Sequence, residues 1–331
     1  MKNVYFNMKI RLTQIDGKLP NLALMKLSHY YKSIGDDVYF TERIHKDLFE
    51  PEYDVVLGSS IFKFSDKARQ TFKRYFPTAF IGGTGTDLTT TAEELIGVDE
   101  YEHYDYSIYP NFKHSIGFTQ RGCRLKCKFC VVPTKEGKNK NLNSIYDIWR
   151  KGTEKKVHLL DNDFFGQPGW QDVAKEIIDG DFKICLNQGI NVRLIDEESC
   201  EYLNRMQYYD DSFTKRVLYT AWDNFKDGDI FFRGVDMLEK AGISPKRLMV
   251  YMLIGYDKTE TWDRIFDRFN RMIAKGIMPY PMVYDKDNKE LKRFQRWVIR
   301  RYYQFVPWNQ YQKMQKNKDH FTYNLFEKEI I

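Results

Sequence analysis

The pattern that most constrains the fold is an alternation of strand-like and helix-like segments through most of the chain. Lys9–Ile15 reads as a strand. Pro20–Ser33 reads as a helix whose apolar stripe, Leu22, Met25 and Leu27 or Tyr30, stops at Gly35. Asp37–Phe40 is a second strand, and Tyr53–Ser59 a third, apolar and β-branched enough to be buried on both faces. Asp66–Tyr75 is a helix closed by Pro77, and Ala79–Ile81 a fourth strand that runs into Gly82-Gly83-Thr84-Gly85. From residue 115 the alternation resumes. Strands Ser115–Thr119, Lys156–Leu160, Lys183–Leu186, Arg216–Tyr219, Arg247–Leu253 and Met278–Tyr284 are separated by helices Ser144–Lys151, Trp170–Asp179, Asp196–Met206, Ile230–Lys240 and Thr261–Ala274. Such an order predicts the α/β class, with parallel sheets and right-handed crossovers. The tyrosine-rich stretch 101–114 has no period and reads as a linker. The expected domains are therefore 1–100, 115–285 and a C-terminal extension, 286–331.

Chemistry concentrates in one loop. Three of the five cysteines, Cys123, Cys127 and Cys130, have the spacing C-x3-C-x2-C, with Phe129 just before the last. Three thiolates on a short loop suit three irons of a 4Fe–4S cluster, because iron favours soft sulfur ligands. No fourth cysteine lies nearby, which leaves one iron open to a ligand that is not protein. The alternative metal is zinc, with His114 or His158 as the fourth ligand. Cys185 and Cys200 stand alone and read as core thiols.

The stretch Arg121 to Pro133 resembles the cluster motif of the radical S-adenosylmethionine (radical SAM) superfamily. That resemblance implies an open (β/α)6 partial barrel, preceded here by a small Rossmann-like parallel α/β domain and followed by a helical cap. It also implies S-adenosylmethionine chelated by the open iron, an electron donor of flavodoxin or ferredoxin type, and a deoxyadenosyl radical that attacks a C–H bond of the substrate. Carried over position by position, it marks Cys123, Cys127 and Cys130 for the cluster and Phe129 beside the cofactor. Asp161-Asn162-Asp163 stands where the family has Gly-Gly-Glu for the methionine amino group. Arg193 is the candidate for the methionine carboxylate, and Asp223 or Asn224 for the ribose. Leu253-Ile254-Gly255, with Thr259-Glu260 after it, resembles the motif that lets adenine approach the backbone. Structural roles compete with each assignment: a capped loop for Asp161 and Asp163, a surface pair with Asp196 for Arg193, an N-cap for Thr259. No residue names the substrate or a hydrogen donor.

The first hundred residues resemble, in pattern, the cobalamin-binding domain found ahead of the barrel in many radical SAM enzymes. A cobalamin-dependent methyltransferase is thus an alternative function. Two departures count against it: after Asp16 comes Gly-Lys-Leu-Pro instead of a histidine motif, and the domain is short. A methylthiotransferase is excluded, since no cysteine precedes Cys123. The run Gly82–Gly85 reads either as a phosphate loop or as a tight turn.

The formal charge is +6, and residues 286–331 hold seven lysines and four arginines against five acids. Within them, Arg293, Arg296, Arg300 and Arg301 interleave with Phe294, Trp297, Tyr302, Tyr303, Phe305, Trp308 and Tyr311. That mix suits nucleic acid, and it suits somewhat better an amphipathic lid with Phe294, Trp297 and Arg301 on one helix face. A nucleic-acid-binding protein with a structural metal is the alternative from another class. No apolar run is long enough to span a bilayer and no signal-like segment opens the chain, so a cytoplasmic protein with no membrane partner is expected.

Overall fold

The structure, a computed structural model, describes residues 7–86 and 88–316. The chain divides into two units whose boundary is crossed several times. Unit 1 holds the chain up to residue 117 together with 122–138 and 148–154. Unit 2 holds 118–121, 139–147 and the chain from 155 on. The cysteine loop thus groups with the N-terminal segment, whereas the sequence placed it with the second α/β region.

Unit 1 is built on β1 (Lys9–Gln14), flanked in parallel by β2 (Asp37–Thr41) and β3 (Val55–Ser59), with β4 (Phe80–Gly82) outside β3. The order β2-β1-β3-β4 is that of a doubly wound sheet. Helix α1 (Leu22–Ser33) starts one residue after Asn21, whose side chain accepts the Leu24 N–H at 3.1 Å, so Pro20 precedes the helix. Leu22, Leu24, Met25 and Leu27 are its buried face. Helix α2 (Asp66–Tyr75) packs Phe72 with Phe76 and Ala79. In the middle of β1, Arg11 is fully buried. It pairs with Glu50, donates to the carbonyls of Arg43 and His45, and lies over the Phe76 ring. Such a pair holds a connection in place more than it adds net stability.

The stretch 101–114 is not a linker. Asp105 accepts from Ser28 Oγ and Lys32 Nζ, Lys26 reaches Glu102, and the Tyr109 hydroxyl bonds Gln14. Tyrosine has no hydrophobic period to detect, yet each ring packs and each hydroxyl finds a polar partner. Helix α3 (Ala92–Ile96) was also not expected. Its signal was present as Thr91 and Glu94, which form a reciprocal capping box. Unit 1 also carries β5 (Ser115–Gly117).

Unit 2 opens with β6 (Gln120–Arg121). After α4 (Val132–Lys135) of the cysteine loop, β6 pairs antiparallel with β7 (Lys140–Asn141), and α5 (Ile145–Ile148) follows at the boundary. β8 (Lys156–Leu159), α6 (Trp170–Asp179), β9 (Lys183–Leu186), α7 (Glu197–Arg205) and β10 (Gln207–Tyr208) come next, and the three strands are parallel. β11 (Leu218–Ala221), α8 (Gly228–Lys240), β12 (Leu248–Ile254), α9 (Trp262–Ala274) and β13 (Met278–Val283) form a second parallel set, joined to the first by a bridge between Ile190 and Thr220. The alternation read from the sequence is therefore present, and its sheets are parallel apart from the short β6–β7 pair.

β12 alternates between buried Leu248, Val250, Met252 and Ile254 and half-buried Met249, Tyr251 and Leu253. Tyr251 stacks on Tyr219 and meets Tyr280 edge-on, so the second face carries a row of tyrosines. Cys185 lies buried in the cluster with Tyr219, Phe213 and Val217.

The extension forms α10 (Lys289–Ile299) and α11 (Trp308–Lys316). Asn288 caps α10 by accepting from Glu290 and Leu291. Phe294, Trp297 and Trp308 interlock with Trp262, Phe266 and Phe269 of α9. The helix ends before Arg301, which has a left-handed backbone (φ 56°), so Arg301 does not continue the face of Phe294 and Trp297.

Candidate functional site

In unit 1 the cysteine loop is closed at its base by hydrogen bonds within itself, one to a side chain and one to the backbone. The Gly122 N–H donates to Glu136 Oε2 at 3.1 Å, and the Cys123 N–H to the Gly137 carbonyl at 3.3 Å. Inside, the Cys130 N–H donates to the Cys127 carbonyl, and the Leu125 N–H to Cys123 Sγ at 3.4 Å. N–H groups aimed at sulfur are one of the levers by which a protein tunes a thiolate-bound metal. Pro133 sits at the start of α4, where its missing N–H costs nothing. Cys123, Cys127 and Cys130 are all half-buried, and so is Phe129. Cys185 and Cys200 are buried in unit 2, where burial pushes their thiols up to about 12 and about 11. They are core thiols, and thiols held protonated are poor metal ligands.

The loop offers three thiols of its own. Among the described residues, no three His, Cys, Asp or Glu side chains gather tightly enough to hold one metal ion. A tetrahedral zinc draws four donors to about 2.0–2.3 Å of one point. A cuboid cluster instead spreads its thiolates over three corners, which a short open loop permits.

The glycine run after β4 lies in the same unit. A Cβ on Gly85 would stand 2.7 Å from the backbone of Phe62, so this glycine is demanded by close chain packing. Lys135 Nζ donates to Thr84 Oγ1 at 2.8 Å. The tight-turn reading accounts for the run. The carboxyl edge of β1, where a corrinoid would approach, is occupied by groups that bond one another. Asp16 accepts from Ser60 Oγ and the Ile61 N–H, Asn21 donates to Ser59, and Gln14 bonds Leu19 and Tyr109. These residues do not fit a cobalamin site.

In unit 2 the candidates lie after the carboxyl ends of the strands, and several are already committed. Asp161, fully buried, accepts the N–H groups of Thr119 (2.8 Å) and Gln120 (3.2 Å) and the Thr119 hydroxyl. Burial pushes its carboxyl up to about 7, against the pull of those three donors. Asp161 therefore fixes the turn that enters the loop. Asp163 is buried and accepts from Asn139 Nδ2, and Asn162 lies between them, half-buried. Arg193 pairs with Asp227 at 2.5 Å and donates to Asn191, so its acidic neighbour is Asp227 and not Asp196, which caps α7.

Asp223 accepts the Leu253 N–H at 3.0 Å, and burial raises its carboxyl, partly offset by Arg268 and Arg193. Asn224 caps the turn that follows it. Gly255 has a left-handed backbone (φ 81°), and a Cβ there would stand 2.6 Å from Leu291 of α10. Leu291 fills the space beside this glycine. Thr259 bonds Asp257, and the cap of α9 is Thr261.

Sequence reasoning missed Arg268. Fully buried, it donates to the carbonyls of Trp222 and Leu253 and pairs with Glu260 at 2.6 Å, tying the ends of β11 and β12 together. Burial lowers Arg268 and raises Glu260, while each charge counters the shift of the other. An arginine inside an otherwise apolar helical stripe was the available signal. Also missed were Gln120, Gln167 and Asn191. Each carries a buried amide atom with no hydrogen-bond partner among the described residues, and on Gln120 both amide atoms are so placed. Such atoms in a strand-end region mark a place for ordered water or a polar ligand.

No protein-family model matches the chain, and no curated protein matches it. No helix among the described residues is long and apolar enough to cross a membrane.

Proposed function

We propose that this protein is a radical SAM enzyme whose cluster is held by Cys123, Cys127 and Cys130. The observation that carries the proposal is the loop itself: three half-buried thiols at C-x3-C-x2-C spacing, on a segment pinned at its base, with an N–H directed at one sulfur. A 4Fe–4S cluster bound there supplies an open iron for S-adenosylmethionine and the electron that cleaves it. The chain's own part is to hold the three thiolates apart and to present Phe129 next to the last of them. Within unit 2, the orphaned amides of Gln120 and Asn191 are the groups proposed to meet a polar ligand. An electron donor of flavodoxin or ferredoxin type completes the reading, and the substrate is an unactivated C–H position.

Two variants test it. Anaerobically reconstituted protein should bind about four irons per chain and, with a reductant, release deoxyadenosine and methionine. Cys127→Ala should lose both, whereas Cys185→Ala should keep the iron. Full iron and cleavage in Cys127→Ala would remove the assignment.

A further inference from the structure

We propose that the exposed face of unit 1 around the cysteine loop binds single-stranded nucleic acid. Between residues 122 and 138 the loop carries Arg124, Lys126, Lys128, Lys135 and Lys138, all exposed, against a single acid. That acid, Glu136, is turned inward onto the Gly122 N–H. The exposed charges of the loop are therefore all basic, while Glu136 is half-buried.

The cations continue into an aromatic surface of the same unit. Lys135 bonds Thr84, and the next residue, Gly85, lies against the backbone of Phe62. Phe62 and Phe64 are 40% and 62% exposed, with exposed Lys63 between them. Their rings stack at 4.9 Å with planes 12° apart. Two parallel phenylalanine faces in water, bordered by lysines, are what a solvated basic face does not need. They are what a nucleotide strand uses, because bases stack on rings irrespective of sequence while lysines neutralise phosphates. An acidic protein would match the charge and leave the flat ring faces without a planar partner. The proposal stands independently of the cluster chemistry.

The test is fluorescence anisotropy of labelled single-stranded RNA and DNA of about 15 nucleotides, with anaerobically purified full-length protein, from about 50 to 200 mM salt. Affinity should fall steeply with salt. The variant K126Q/K128Q/K138Q should flatten the log–log slope by about 2, since each neutralised phosphate of a single strand contributes about 0.7. F62A/F64A should weaken binding about tenfold or more at every salt concentration, with the slope unchanged. Lys126 and Lys128 flank Cys127, so iron is measured in each variant. If the triple variant loses iron, K63Q/K138Q decides instead, with a slope change of about 1.4. Absence of binding by the wild-type protein overturns the proposal. So does F62A/F64A binding at full strength while polyglutamate competes as well as the oligonucleotide, which would mark a surface for an acidic protein.

Discussion

Two segments of this chain combine cations with aromatic rings, and they bury those rings to different extents. In the extension, Phe294 and Trp297 are buried against α9, and among its described residues a single phenylalanine, Phe305, stays exposed beside Arg296, Arg300 and Arg301. Around the cysteine loop, Phe62 and Phe64 stay in water beside exposed lysines. From composition the extension is the nucleic-acid candidate. By exposure the stronger candidate is the loop, because there two exposed rings lie parallel side by side, whereas the described part of the extension exposes one. The comparison teaches that a basic-aromatic composition has no function until burial is known.

The largest effect should come from breaking the packed side of the comparison. Phe294→Ala removes a fully buried ring and should lower the stability of the fold by about 3–5 kcal/mol. Urea unfolding measures it. A change under about 0.5 kcal/mol would mean the extension's rings are not packed, and the contrast would collapse.

A smaller effect sharpens the difference between committed and uncommitted polar groups. The Asp161 carboxyl sits at about 7 when folded, against about 3.9 in an unfolded chain. The folded state therefore holds the proton more tightly. This group's contribution to stability is complete below about pH 4 and is lost as pH rises through 7. Asp161→Asn should remove that fall, because its carbonyl keeps the Thr119 and Gln120 N–H groups and its amide faces the Thr119 hydroxyl. Thermal melts between about pH 4 and 7 report it, and an unaltered slope would assign the pH dependence elsewhere.

The smallest effects fall on the exposed side. F62A/F64A should change stability by less than about 0.5 kcal/mol, since these rings are solvated. R296Q/R300Q/R301Q should change the salt slope of nucleic-acid binding by less than the loop triple does. A larger change in the extension variant would return the binding surface to the C-terminal helices.

Sequence by itself determined the main alternation of strands and helices, because strand and helix periods are properties of local backbone geometry. It determined the cysteine spacing and the isolation of Cys185 and Cys200 for the same reason: neighbours in the chain suffice. It fell short wherever partners come from far along the chain. The stretch 101–114 looked unattached because its anchors, Gln14, Lys26 and Ser28, lie some 75 to 95 residues away. Arg193 was matched with the nearby Asp196, whereas the fold supplies Asp227, 34 positions on. Asp161 looked like an open acceptor until the fold brought Thr119 and Gln120 onto it. Gly255 looked reserved for a ligand until Leu291 filled its side. In each case local chemistry set what a residue was able to do, and tertiary structure decided what it does. Burial and pairing are settled only when distant segments close on one another, and a single sequence carries no record of that closure.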